Sequence, residues 1–164
     1  MPNYADINGR PMKKLQIQQY LRKLQLNHFE PAVNLATLTN LQDAHLKYIP
    51  YENFDCLNGK ITSLKRQDMF NKVIMHNRGG ICFELNGLYN WLLESLGFEV
   101  TSYSARFIDK METYQLRRHR VMCVTLGEKR YLTDVGVNSE SPRVPLEIVE
   151  GLIQSDGISQ YKFT

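Results

Sequence analysis

One segment constrains the fold more than any other. In "NRGGICFELNGLYNWLLESLG", Asn77 to Gly97, the residues Leu85, Leu88, Tyr89, Leu92, Leu93 and Leu96 recur at helical spacing. That apolar stripe is wide enough for a central, well-covered helix, and Gly97 supplies its C-terminal cap. The segment opens on Gly79, Gly80 and Cys82, so the glycines allow a tight path into the helix and a thiol falls in its first turn. Unpaired N–H groups and the positive end of the helix dipole favour an anion there. A thiolate is such an anion, and the same N–H groups would hold the oxyanion that develops when it attacks a thioester carbonyl. Cysteine is also a common buried residue. Position alone leaves nucleophile and packing residue equally open.

Around this helix the chain reads helices first and antiparallel strands after, an α+β arrangement. A loose helical pattern covers Lys13 to Leu26. A second helix runs from Leu38 to Tyr48 and stops at Ile49-Pro50, because proline disfavours a helical residue before it and donates no hydrogen bond. Ser63 is the expected N-cap of a third, with Leu64, Met69, Phe70, Val73 and Ile74 as its apolar positions and a stop near Gly79-Gly80. After Gly97, "FEVTSYSARF" reads as a strand and "HRVMCVTLGEKRYLTDVGV" as a hairpin around a Gly-containing turn. The expected division is a flexible extension over 1–11, a helical region over 12–97 that carries the thiol, and a partial antiparallel β region over 98–164.

The 164 residues are 43% hydrophobic and 23% charged, ordinary for a folded globular chain. A formal charge of +3 is too modest, and too scattered, to point to nucleic acid. No apolar run approaches a membrane span, and the start of the chain has no apolar signal core, so the expected location is the cytoplasm. Three cysteines, Cys56, Cys82 and Cys123, are widely spaced and form no CxxC pair. Disulfides and a metal site are therefore poor readings, leaving buried cysteines or one reactive thiol.

A nucleophile needs a base, and the base an orienting group. Of the four histidines, His28, His45 and His76 lie in or beside early helices and read as structural. His119 opens a strand whose hairpin partner carries Asp134. A turn centred on Leu126-Gly127 would set His119 directly opposite Asp134. A turn centred on Glu128-Lys129 would leave them about 13 Å apart along the strand. The expectation is that a triad requires the tighter turn, or a bulge that recovers the offset. The hairpin alone leaves open a strand cap at His119 and a turn residue at Asp134.

At this point a resemblance enters. "RGGICFELN" resembles the signature that surrounds the catalytic cysteine of the arylamine N-acetyltransferases, and "IPYENFD" is similar to the family's Pro-Phe/Tyr-Glu-Asn segment. "HRVMCVTLGEKRYLTDVGV" resembles its histidine strand and aspartate strand, and "PLEIVEGLIQ" the segment that follows. The resemblance implies Cys82 as the acyl-accepting thiolate, His119 as its base and Asp134 as the group orienting the imidazole. It implies a ping-pong transfer in which acetyl-CoA is the cosubstrate and an arylamine, arylhydrazine or N-hydroxyarylamine the acceptor, with no metal. Arg78, Glu84 and Asn86 are expected to hold the loop and helix start rather than touch substrate. The implied fold is a helical region and antiparallel β-barrel-like strands around a cysteine-protease-like core.

Two departures matter. Family members usually continue Asp-Val-Gly with Phe-Gly, whereas here Val137 and Asn138 follow. Both are read as substrate-binding positions, with Val137 widening the acceptor pocket or weakening aromatic stacking. The chain is also short for the family, reading either as a fragment or as a naturally shortened homologue, with the C-terminal α/β lid apparently missing. A homodimer or another chain would then cover the open surface. "LRRHR", around His119, reads either as a solvated basic strand end or as a landing site for CoA phosphates. The competing functions are a cysteine-dependent amide synthase or hydrolase with the same triad, and a catalytically weak homologue acting as a binding module.

Overall fold

The computed structural model describes residues 10–108, 116–137 and 141–164. The elements are α1 (Lys14–Lys23), α2 (Leu35–Tyr48), α3 (Phe54–Leu57), α4 (Arg66–Phe70) running into a π-helical turn (Asn71–Met75), and α5 (Cys82–Ser95). The strands β1 (Glu99–Ala105), β2 (His119–Leu126), β3 (Lys129–Thr133), β4 (Leu146–Glu147), β5 (Ile153–Ser155) and β6 (Gln160–Lys162) follow. Helices thus precede strands, as the residue patterns require. Among the described residues no helix is long and apolar enough to cross a membrane.

The central helix is α5. Every residue from Glu84 to Leu93 is buried, polar ones included. Its end follows from Gly97, whose φ of +93° lets the Phe98 N–H reach the Leu93 carbonyl and its own N–H reach that of Glu94. One apolar core gathers Tyr20 of α1 and Leu24 just after it, Leu38 and Leu41 of α2, Phe70 of α4, the inner face of α5, and Met122 and Val124 of β2. The chain is anchored to it from Arg10, whose carbonyl accepts the Trp91 Nε1–H at 2.8 Å.

Three helix boundaries differ from expectation. The second helix begins three residues early, because Asn34 caps it by accepting the Thr37 N–H. Ser63 does not cap the next helix. Its hydroxyl donates to the Asp68 carboxylate at 2.6 Å, and Lys65 occupies the cap position without a side-chain bond. That helix also ends sooner than Gly79-Gly80. After the π-helical turn, His76 leaves helical geometry and Asn77 takes a φ of +54°.

The four strands β1-β2-β3-β4 form one antiparallel sheet in that order, with β5 and β6 as a separate ribbon. The barrel-like closure expected from the resemblance is not seen among the described residues. The hairpin turn lies between the two alternatives weighed from the sequence. Leu126 pairs with Lys129 and Met122 with Thr133, so the two turn residues are Gly127 and Glu128. Helix α5 packs on β1 and β2, which brings its first turn up to the start of β2.

Candidate active site

Cys82 is the first residue of α5 and half-buried. The turn before it is clamped by charge. Glu84 Oε2 accepts the Ile81 N–H at 2.9 Å, and Lys72, carried in by the π-helical turn, donates to Glu84 at 2.9 Å and pairs with Asp55 at 2.9 Å. Arg78 bonds Glu52 through Nε at 2.9 Å. Both carboxylates lie in the "YENFD" stretch, so that segment is a brace for the loop that leads into Cys82. Among the described residues no N-cap side chain bonds the N–H groups of Cys82 and Phe83 at the start of α5, since Ile81 stands at the cap position.

His119 Nε2 and Asp134 Oδ2 lie 2.6 Å apart and both residues are buried. The hairpin register explains how. Continued one step past Met122–Thr133, the ladder would set Val121 against Asp134. Asp134 is then the diagonal neighbour of His119 on the same face, a separation that long side chains span. Neither the tighter turn nor a bulge is needed, which corrects the sequence expectation. His119 Nδ1 has no hydrogen-bond partner among the described residues, and the Cys82 thiol donates to the Arg118 carbonyl, next to His119, at 3.5 Å. Burial pushes the imidazole pKa down, but the hydrogen bond the ring donates to Asp134 and the nearby Cys82 more than offset it, raising it to about 9. These neighbours favour the protonated form of the ring. Phe107 covers it, with ring centroids 5.0 Å apart.

These groups open onto a pocket of about 300 Å³ lined by Tyr51, Cys82, Phe107, Arg118, His119, Gly136 and Val137. A hollow of about 700 Å³ beside His28 is larger, yet no thiol lines it. Chemistry rather than size marks the site. Val137 stands in the pocket wall, while Asn138 lies outside the described residues. Gly136 fits because it lacks a side chain: a Cβ there would fall 2.9 Å from Cys82 Cα.

The basic stretch before β2 divides. Arg117 and Arg118 are exposed. Arg120 is neither a solvated strand end nor a phosphate site, since it is 4% exposed and its Nη2 donates to Ser102 Oγ at 2.9 Å. Burial lowers its pKa to about 10. Asn86 was expected to hold the helix start. Instead its Nδ2 donates to Asp134 Oδ1 at 2.8 Å and its Oδ1 accepts the Val135 N–H at 2.9 Å. Two pocket residues went unread in the sequence. Tyr51 sits inside the quoted "IPYENFD" and could have been found there, whereas Phe107 carries no local signal.

The sequence model of the N-acetyltransferase family matches residues 34–164. The chain is 34% identical to an arylamine N-acetyltransferase of Escherichia coli over 132 residues, covering 80% of this chain and 47% of that protein. A second relative, from Mycolicibacterium smegmatis, is also 34% identical, with 88% of this chain and 54% of that protein covered. Among solved structures, the arylamine N-acetyltransferase of Salmonella typhimurium superposes with a TM-score of 0.80 at 30% identity, over 88% of this chain and 52% of its own. That of Mycobacterium marinum, solved in complex with CoA, gives 0.81 at 29% identity, over 89% and 55%. The chain spans about half the length of the relatives it matches.

Proposed function

On the premise that this chain belongs to the arylamine N-acetyltransferase family, we propose that it carries the acetyl-transferring half of such an enzyme, with Cys82 as nucleophile, His119 as its base and Asp134 as the orienting carboxylate. The observation that carries this reading is the 2.6 Å contact of His119 with Asp134 beside a thiol at a helix start.

In the proposed reaction the Cys82 proton passes to His119 Nδ1, leaving a thiolate beside an imidazolium that Asp134 steadies through Nε2. The thiolate attacks the thioester carbonyl of acetyl-CoA, and the first-turn N–H groups of α5 receive the oxyanion. As the tetrahedral species collapses, the carbon–sulfur bond to CoA breaks and CoA leaves with the imidazolium proton. The acceptor nitrogen then attacks acetyl-Cys82, gives its proton to His119 and displaces the thiolate. Tyr51, Phe107 and Val137 form the apolar wall against which an aromatic acceptor would lie. An arylamine, arylhydrazine or N-hydroxyarylamine fits this requirement.

Peptide mass mapping after incubation with acetyl-CoA tests the reading. One acetyl group on Cys82, lost on adding an arylamine and absent from Cys82→Ser, is the expected result. Labelling by longer acyl donors alone would favour an amide synthase, and cleavage of a peptide without acyl transfer would favour a hydrolase.

A further inference from the structure

We infer that Asn86 is a positioning residue of this site, holding the Asp134 carboxylate in the orientation that receives His119. The inference rests on the proposed triad. Asn86 stands one helical turn after Cys82, so the two project from the same side of α5. It is fully buried. Its Nδ2 donates to Asp134 Oδ1 at 2.8 Å and to the carbonyl of Arg120, the residue after His119, at 2.5 Å. Its Oδ1 accepts the Val135 N–H at 2.9 Å. An amide offers two N–H donors and one carbonyl oxygen, and each is engaged. A single side chain thus ties the helix of the thiol to the strand of the imidazole and to the carboxylate itself.

The allocation of oxygens on Asp134 separates this role from packing. Oδ1 receives Asn86 Nδ2 and the Gly136 N–H, both at 2.8 Å, which fixes the carboxylate plane. Oδ2 is left for His119 Nε2. Without Asn86, Oδ1 would keep one donor and the carboxylate could turn about its last torsion. An aspartate at position 86 would keep the shape but set an acceptor against an acceptor. Gly136 closes the remaining space: a Cβ on it would lie 2.6 Å from Asn86 Nδ2.

The test uses Asn86→Ala and Asn86→Asp, each shown to unfold cooperatively, with two readouts. The pH dependence of Cys82 alkylation by iodoacetamide is one, and the His119 ring titration by NMR is the other. Alkylation at neutral pH should slow by about tenfold or more, with both titration midpoints displaced. A folded variant whose pH profile and His119 titration match the unmodified chain overturns the inference. Should neither variant fold, the Asn86 side-chain amide signal of the unmodified chain decides: it should move with the His119 titration, and a signal that stays still overturns the inference. The unmodified chain also separates the two proposals. Unreactive Cys82 there defeats the triad, whereas reactive Cys82 with unaltered variants defeats the Asn86 role alone.

Discussion

His119 and Asp134 meet on a diagonal of the β2–β3 hairpin, where the ladder has passed its last pair, Met122–Thr133, and the imidazole and carboxylate close to 2.6 Å. The contact is fixed by register, and only a carboxylate at position 134 both accepts from Nε2–H and steadies the charge on the ring. Asp134→Asn keeps the shape but removes the charge. Acetyl transfer should fall by about a thousandfold or more, read as kcat/KM for an arylamine acceptor. Transfer within a few-fold of the unmodified chain would remove Asp134 from the mechanism.

The raised pKa of His119, about 9, makes stability depend on alkaline pH. A group that binds its proton more tightly when folded contributes fully below its ordinary value of about 6.5. That contribution is lost as pH rises through about 9. Urea unfolding midpoints should therefore decline between pH 7 and 10, and His119→Ala should flatten that part of the profile. Equal slopes in both proteins would contradict the assignment.

His45 has the opposite sign. It is fully buried between Tyr20 and Tyr89, neither ring nitrogen has a hydrogen-bond partner among the described residues, and burial lowers its pKa to about 3. The folded protein holds it neutral, so its stabilising effect is present above about 6.5 and is lost as pH falls towards 3. His45→Leu should lose less thermal stability than the unmodified chain between pH 7 and 4.5. A parallel loss would show that His45 is not the group responsible.

Lys72 compensates a carboxylate that has almost no contact with water. Glu84 is 2% exposed, and its two oxygens lie 2.9 and 3.1 Å from the Lys72 ammonium. Lys72→Met strands that charge. Unfolding free energy should drop by about 3 kcal/mol, measured by urea titration. Replacing Lys72 and Glu84 together by apolar residues should recover part of it.

What was legible in the sequence depended on neighbours in the chain. The stripe of α5 and its stop at Gly97 follow from spacing and a local cap. Cys82, His119 and Asp134 could be proposed as a set because the motif text around each is dense and continuous. The hairpin centre was not, because the choice between adjacent turns depends on how the whole ladder settles. Asn86 was misread for a related reason: its partners Arg120 and Asp134 lie 34 and 48 residues away, and no local pattern names them. Ser63 reads as a cap by residue type, yet Asp68 competes successfully for its hydroxyl.

The central claim is that His119 activates Cys82, and selective alkylation at neutral pH tests it most directly. Cys56 is exposed, Cys82 half-buried and Cys123 buried, so accessibility alone would make Cys56 react first. The account predicts that iodoacetamide modifies Cys82 well ahead of Cys56, and that His119→Ala abolishes this lead. Reaction in the order of exposure, or a Cys82 rate unaltered by His119→Ala, would contradict it.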